Sequence, residues 1–278
     1  MRELVFQKHA AVLYAVAMLV GTVGAAHADT FFTIANTGGS GGAPGRDPSY
    51  FYYSTTTDPS VNPGVLPAGA SWSQAYIIDS SAWPLGSGPW NKNTGTGKWI
   101  GPTPSYMFSG GQWGDWYLTA PPNTYFVYQT RFFIPTGADL SRILITGILS
   151  SDNCNTTIGI NGAGLGGAVI STPGCTTNGD SYANGHAFEI GGQNANFGPT
   201  NGTYFAYSSF RAGWNTIQFT VYNDSTATSP NPTGLVVWDM QGIAQSPPEI
   251  PEPATAALLI AGIAVVSWLR RRRLLPSV

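Results

Sequence analysis

Charged residues, histidine and cysteine are all scarce in this 278-residue sequence. Only 9% of the residues are Asp, Glu, Lys or Arg. Between residues 29 and 250 six basic residues stand against twelve acidic ones, which gives that segment a net charge of −6. Because the segment has no basic patch, we expect no nucleic-acid or anionic-lipid partner. Gly, Ser, Thr and Asn supply most of its polarity, as in many extracellular β-proteins.

The scarcity of histidine argues against an enzyme. Nucleophilic catalysis needs a base beside the nucleophile, and residues 29–250 contain one histidine, His186, in a loop-like sequence. Neither a G-x-S-x-G nor an H-E-x-x-H motif occurs. Glycoside hydrolysis would need two carboxylates about 5 to about 9.5 Å apart. The candidates are Asp115, Asp152, Asp180 and Glu189. Turn and capping roles are the commoner use of such residues, so we predict no catalytic residues.

The two cysteines, Cys154 and Cys175, are most simply explained as a disulfide in an oxidising compartment. Closing a loop of about 20 residues would add about 3 kcal/mol to stability. With no histidine nearby, the pair makes a poor zinc site. No EF-hand or nonapeptide calcium pattern appears, so we predict no metal and no cofactor. A structural calcium ion would still be compatible with the many oxygen donors.

Residues 1–28 have the pattern of a signal peptide. Arg2 and Lys8 precede an uncharged apolar run of 14 residues, from Ala10 to Val23, and Ala26-His27-Ala28 supplies small residues for signal peptidase. The run is shorter than the ~20 residues that span a bilayer, which disfavours an N-terminal anchor. We therefore expect cleavage before Asp29.

The other end has three parts in sequence. Residues 246–253 form a Pro-rich linker that ends in Pro251, Glu252 and Pro253, and residues 254–269 are uncharged. The tail, residues 270–278, opens with four basic side chains: Arg270, Arg271, Arg272 and Arg273. A 16-residue helix rises about 24 Å, most of a hydrocarbon core about 30 Å thick, if the arginines snorkel. We predict a short transmembrane helix with the arginines in the cytoplasm.

This tripartite end resembles the PEP-CTERM sorting signal of Gram-negative bacteria. The resemblance implies transient anchoring in the inner membrane and cleavage near Pro-Glu-Pro by the membrane protease exosortase. It also implies release to the cell surface or to an exopolysaccharide matrix. The alternative is an ordinary tail anchor with an accidental tripeptide.

Strand patterns, and no helical periodicity, recur between the two ends. In Tyr125 to Ile134 one face carries Phe126, Tyr128, Thr130, Phe132 and Ile134. In a later segment Ile217, Phe219 and Val221 point one way and Thr216, Gln218 and Thr220 point the other. Asn161-Gly162 is a tight-turn signal. We predict an all-β fold, a single antiparallel β-sandwich or jelly roll over residues 50–245, preceded by a flexible Gly-rich leader at residues 29–49.

Several short blocks are similar, in their order, to PEP-CTERM ectodomains of the galactose-binding-like jelly-roll type. They are Trp83-Pro84, Gly88-Pro89-Trp90, Lys98 to Pro102, Phe132 to Pro135, Asp152-Asn153, Asn161-Gly162, Gly213 to Ile217 and Asn231 to Val236. The resemblance implies the scaffold used by many carbohydrate-binding modules.

Sugar binding calls for aromatic rings that stack on pyranose faces, with amides or carboxylates for the hydroxyl groups. Trp214 and Trp238 in strands, and Trp72 and Trp99 beside strands, are expected in the core. The residues predicted to form a glycan-binding loop surface are Trp83, Trp90, Gln112, Trp113, Asp115 and Trp116. The alternative is that the loop tryptophans fold back over the open end of the sandwich.

Together these patterns predict an exported surface or matrix protein that associates with exopolysaccharide without catalysis. A structural matrix or adhesion protein without a sugar pocket is the alternative. A secreted hydrolase or lyase is the least favoured reading.

Overall fold

The computed structural model describes residues 28–39, 41–59, 66–81, 83–86, 88–94, 96–104, 121–164, 182–192, 195, 203–206, 209–223, 232–246 and 261–265. Contacts group Asp29–Ser246 into one unit and Met1–Ala28 with Pro247–Val278 into another. In the second unit residues 261–265 are helical. Among the described residues, no helix has both the length and the apolar character needed to cross a membrane.

Strands dominate the unit Asp29–Ser246. They are β1 (Thr30–Thr33), β2 (Gly45–Thr55), β3 (Ser73–Ile77), β4 (Ile100–Gly101), β5 (Thr124–Ile134), β6 (Ile143–Asp152), β7 (Cys154–Ile160), β8 (Ala163–Gly164), β9 (His186–Gly191), β10 (Thr203–Ala206), β11 (Gly213–Asn223) and β12 (Gly234–Ala244). A short 3-10 helix, Leu140–Arg142, precedes β6. The prediction of a nearly all-β ectodomain is confirmed.

All twelve strands belong to one curled sheet. Its order is β10-β9-β6-β12-β4-β3-β2-β5-β11-β7-β8, with β1 added to β12, and every pair is antiparallel except β10 with β9. Curling brings distant strands face to face. Phe188 of β9 meets Phe219 of β11 and Phe32 of β1 meets Phe132 of β5, each pair with ring centroids 5.8 Å apart. The main core lies between these faces, while the finer jelly-roll assignment stays a prediction.

Alternation along the strands places side chains as predicted. In β5 the side chains of Phe126, Tyr128, Thr130, Phe132 and Ile134 are all buried. Ile217, Phe219 and Val221 of β11 are buried as well. Each such apolar side chain contributes about 1.5 to 3 kcal/mol through burial, which fixes the register of the β5–β11 pair.

The predicted tight turn between β7 and β8 is also present. Asn161 and Gly162 both have positive φ, 54° and 76°, and Ile160 pairs with Ala163 across them. Two successive left-handed residues match the right-handed twist of the flanking strands, which explains the Asn-Gly sequence.

Part of the predicted flexible leader at residues 29–49 forms β1 and the first residues of β2. Thr30–Thr33 pair with β12, and Thr37 is fully buried. The Thr37 amide donates to the Val237 carbonyl (3.1 Å), and the Thr37 carbonyl accepts from the Lys98 amide (2.8 Å). Backbone hydrogen bonds to distant strands order this stretch, although its own side chains bury little apolar surface.

A buried carboxylate binds the backbone of the Gly-rich stretch that follows β1. Asp47 of β2 is fully buried and accepts hydrogen bonds from the backbone amides of Gly38 (2.6 Å) and Ser49 (2.8 Å). Burial raises the pKa of Asp47, although the backbone hydrogen bonds and the nearby Lys98 act in the opposite direction. Gly38 has a φ of +63°, and an added Cβ would lie 2.6 Å from the Lys98 Cβ, so the position requires glycine.

We expect Asp47→Ala to lower the free energy of unfolding by about 3 kcal/mol, because the buried Gly38 amide and the half-buried Ser49 amide would lose a charged acceptor. Asp79→Ala is the matched control, since Asp79 accepts from the Ser81 amide (2.9 Å) in an exposed turn. Its cost should stay near or below about 1 kcal/mol. Urea unfolding measures the free energy of unfolding of both variants. Equal losses of stability would contradict the role of Asp47 in stabilising the Gly-rich stretch.

Candidate functional site

The predicted glycan-contact residues fall into two groups. Gln112, Trp113, Asp115 and Trp116 lie outside the described residues. Trp83 and Trp90 are described, and both belong to the segment between β3 and β4. This segment contributes Ile78, Leu85, Trp90 and Trp99 to a second, smaller core, and Val236 of β12 completes that core.

Trp90 is a core residue, which corrects its predicted place on a glycan-binding surface. Its side chain is 3% exposed, and its ring stacks on Trp99 with centroids 4.0 Å apart. Gly234 of β12 lies against the same ring, since a Cβ added there would be 2.7 Å from the Trp90 ring. A ring covered in this way cannot stack on a pyranose, so we leave Trp90 out of the proposed contact. Its loop folds back over the sheet, which is the alternative that the sequence left open for loop tryptophans.

The indole N–H of Trp90 donates to a carboxylate oxygen of Asp152 at 2.7 Å. Asp152 ends β6 and is 4% exposed, and its carbonyl accepts from the Thr233 hydroxyl at 2.7 Å. Burial raises the pKa of Asp152 to about 7, although the Trp90 hydrogen bond lowers it. Trp90, Asp152 and Thr233 belong to three of the short blocks that resemble PEP-CTERM ectodomains. These three blocks are therefore joined by hydrogen bonds in the folded chain.

Asn91 extends the same network. Trp99 donates from its indole N–H to the Asn91 carbonyl (2.9 Å), and Asn91 donates from its amide to the Ser150 hydroxyl (3.1 Å). Ser150 in turn donates to the Asn184 carbonyl at 2.6 Å. These bonds satisfy the indole N–H groups of both tryptophans, so their role in this region is structural.

Trp83 is half-buried against the second core. The same segment contains a cavity of about 270 Å³, lined by Ser80, Leu85, Gly86, Lys92 and Asn93. This volume lies below the range of about 300 to 1,000 Å³ typical of ligand pockets. We assign the cavity no ligand.

Asp152 and Glu189, the two described residues of the candidate acid set, do not form a hydrolytic pair. Glu189 of β9 pairs with Thr146 of β6, and Asp152 lies six residues further along β6. At about 3.3 Å per residue the separation is about 20 Å, well beyond the ~9.5 Å limit for a glycosidase pair. Asp115 and Asp180 lie outside the described residues.

His186 was expected in a loop, but it begins β9. Its side chain is half-buried, and burial lowers the pKa of the imidazole. It pairs with Leu149 of β6, three residues before Asp152. Asn184 and Gly185, which precede it, are typical loop residues, so the sequence indicated a loop where the strand in fact begins.

Trp214 is the aromatic residue that sequence reasoning misplaced. It was expected in the core, yet it is 54% exposed at the start of β11. Opposite it in β5 lies Phe133, 45% exposed, with ring centroids 5.5 Å apart in an edge-to-face arrangement. Strand alternation could have revealed this, because Trp214 shares the face of Thr216, Gln218 and Thr220.

The other tryptophans expected in the core differ in exposure. Trp99 is fully buried, which confirms the expectation for that residue. Trp238 is half-buried against the second core, and Trp72 is half-buried with its ring 4.8 Å from that of Tyr53.

The predicted disulfide stays a prediction. Cys154 contributes backbone to β7, but its side chain and Cys175 lie outside the described residues. Within the described part of the chain, no group of three or more His, Cys, Asp or Glu side chains could hold a metal ion.

Comparison with known proteins identifies the C-terminal end. Residues 249–273 match the family model described as the PEP-CTERM protein-sorting motif. The chain thus carries the sorting motif that implies export, and Pro251, Glu252, Pro253 and Arg270 to Arg273 all fall inside the match. No curated protein and no solved structure matches the chain.

The raised pKa of Asp152 predicts a pH-dependent stability. The carboxyl titrates near 3.8 in the unfolded chain and near 7 in the folded one, so the folded state binds the proton more tightly. Its contribution is fully present below pH ~3.8 and decreases by about 4 kcal/mol as the pH rises through 7. Asp152→Asn keeps an acceptor for Trp90 but cannot titrate, so it should gain stability relative to the wild type between pH 4 and pH 8. Urea unfolding at each pH measures this gain, and a constant difference would contradict the burial of an ionisable carboxyl.

Proposed function

We propose that this chain is an exosortase substrate whose β-ectodomain reaches the cell surface or matrix of a Gram-negative bacterium and binds exopolysaccharide there without catalysis. The sorting half rests on one observation, the PEP-CTERM motif at residues 249–273. In this proposal signal peptidase removes residues 1–28, and the segment 254–269 holds the chain in the inner membrane until exosortase cleaves near Pro251-Glu252-Pro253.

Exposed aromatic side chains support the binding half. Folded domains bury most large aromatics, and an exposed aromatic patch on a soluble surface commonly marks a site of interaction. Trp214 and Phe133 stand together on the outer face of the sheet, with the half-buried amides of Gln129 and Gln218 further along the same strands. Aromatic faces and amides are the groups that bind pyranose rings and their hydroxyls. Trp83, Gln112, Trp113, Asp115 and Trp116 remain the loop residues proposed to extend this contact.

The proposal is non-catalytic because Asp152 and Glu189, the two described members of the candidate acid set, are too far apart to act as a glycosidase pair. Asp152 serves as a buried acceptor for Trp90, and Glu189 lies about 20 Å from it along the strand direction. A polysaccharide-binding role requires only complementary surface, which the exposed aromatics offer.

The sorting prediction is tested by intact mass. In a host that contains exosortase, the recovered protein should lack both residues 1–28 and the residues beyond the Pro-Glu-Pro motif. Replacing Pro251, Glu252 and Pro253 together with alanine should leave the arginine tail attached. Pro247→Ala with Pro248→Ala is the matched control in the same linker and should be processed normally. A wild-type protein that keeps Arg270 to Arg273 would overturn the proposal.

The binding prediction is tested with a polysaccharide panel that includes the native matrix, with calcium and with chelator. The mature protein should bind at least one member saturably, and Trp113→Ala with Trp116→Ala should weaken binding if the loop surface takes part. A folded protein that binds nothing on the panel would favour a structural matrix or adhesion role.

A further inference from the structure

The outer face at one end of the β5–β11 pair combines exposed aromatics with guanidinium groups. Arg131 lies two residues before Phe133 on the same face of β5, and its guanidinium carbon is 4.9 Å from the centroid of the Trp214 ring. Arg211 is exposed just before β11, and its Nε donates to the Trp214 carbonyl at 2.9 Å. We call Arg131, Phe133, Arg211 and Trp214 the aromatic–arginine patch.

The buried side-chain amide of Asn215 holds the backbone of the patch in place. Asn215 is fully buried, and its amide nitrogen donates to the carbonyls of Arg211 (2.7 Å) and Gly213 (2.9 Å). Its side-chain oxygen accepts from the Arg211 amide (3.1 Å) and from the Asn161 side-chain amide (2.8 Å). Gly213 has a φ of +89°, which permits the tight entry into β11. These bonds fix the backbone that presents Arg211 and Trp214, so a ligand would meet a largely pre-formed surface.

The two arginines of the patch retain N–H groups for a ligand. In the part of the chain that the structure describes, Arg142 forms an ion pair with Asp139. Within the same residues, neither Arg131 nor Arg211 has a carboxylate partner. Residues 29–250 carry only six basic side chains and a net charge of −6, yet two of the six converge on Trp214. This local concentration of positive charge is complementary to an acidic ligand.

The row of polar groups beyond the patch fits a chain-like ligand. Gln218 donates to Gln129 at 3.3 Å across the same two strands, about 13 Å along β11 from Trp214. Phe51 of β2 is 38% exposed and pairs with Gln129, which widens the row. Beyond them the buried pair Val127 and Thr220 separates the row from Tyr125 and Tyr222, so the row ends at the two glutamines. The amides of Gln129 and Gln218 thus extend the aromatic–arginine patch along the outer face.

We propose that the aromatic–arginine patch binds carboxylated sugar units, that is, uronic-acid residues of an acidic polysaccharide. The pyranose ring stacks on Trp214, and the carboxylate takes charge-assisted hydrogen bonds from Arg131 and Arg211. Neighbouring sugar units lie along the row toward Gln129 and Gln218. This inference rests on the proposed function and specifies its ligand class and its binding surface.

The test uses the mature protein recovered from an exosortase-containing host and three probes. Polygalacturonate presents the carboxylated pyranose, its methyl ester removes the charge from the same rings, and polyglutamate carries carboxylates without sugar. The wild type should bind polygalacturonate about tenfold or more tightly than either of the other two, the size expected for loss of one charge-assisted hydrogen bond or one stacked ring.

Trp214→Ala and Arg131→Gln should each weaken binding to polygalacturonate about tenfold. Both side chains are exposed, so circular dichroism and thermal unfolding should stay close to wild type. Two controls lie elsewhere. Arg46→Gln removes an exposed arginine that stacks on Tyr76 with its guanidinium carbon 3.6 Å from the ring centroid, and Phe31→Ala removes an aromatic that is 67% exposed on β1. Each control should change the affinity by less than about twofold.

Three results would overturn the inference and leave the proposed function standing. They are equal binding of polygalacturonate and its methyl ester, equal loss of affinity in the patch and control variants, and unchanged affinity in both patch variants. Binding of polyglutamate as tight as that of polygalacturonate would overturn the sugar contact. A wild type that binds no polysaccharide, including the native matrix, would overturn the inference and the binding half of the proposed function together.

Discussion

The hydrogen bond from Trp90 to the buried carboxyl of Asp152 joins the segment between β3 and β4 to the ends of β6 and β12. A carboxyl in such a place needs a partner, because burial without one would cost several kcal/mol. The indole provides that partner and stacks on Trp99, whose own N–H reaches Asn91. Glycine at position 234 follows from the same contact, since any larger residue would meet the Trp90 ring. The pH dependence of stability is another consequence of burying this group.

Alternation along β5 and β11 divides the aromatic residues between two roles. Phe132 and Phe219 face the core, where the curled sheet closes on itself. Phe133 and Trp214 lie an odd number of positions from them along the same strands, so their side chains face solvent. The inward set stabilises the fold, and the outward set forms a surface with Arg131 and Arg211. The same two strands therefore carry both stability and the proposed contact.

Two independent parts of the chain carry the functional argument. The C-terminal motif determines the route of export and is contained in about 25 residues. The ectodomain combines a net charge of −6 over residues 29–250 with exposed aromatic and arginine side chains on the outer face of β5 and β11. In the proposed function this local positive charge is what attracts an acidic polymer to an otherwise negative segment. The low overall charge density is consistent with this arrangement.

Local pattern alone was enough to predict the strands that became β5 and β11, the Asn161-Gly162 turn and the sorting motif, because each depends on neighbours along the chain. The tertiary structure decided which tryptophans are buried and which face solvent. Trp90 is buried between Trp99 and Gly234 and hydrogen-bonds to Asp152, 62 residues away, and Thr37 hydrogen-bonds to Val237, 200 residues away. For Trp214 the alternation in β11 already indicated the face opposite Ile217 and Phe219, and the pairing with β5 placed it beside Phe133. Burial is a property of residues that meet in space, so contacts between distant parts of the chain placed the candidate surface.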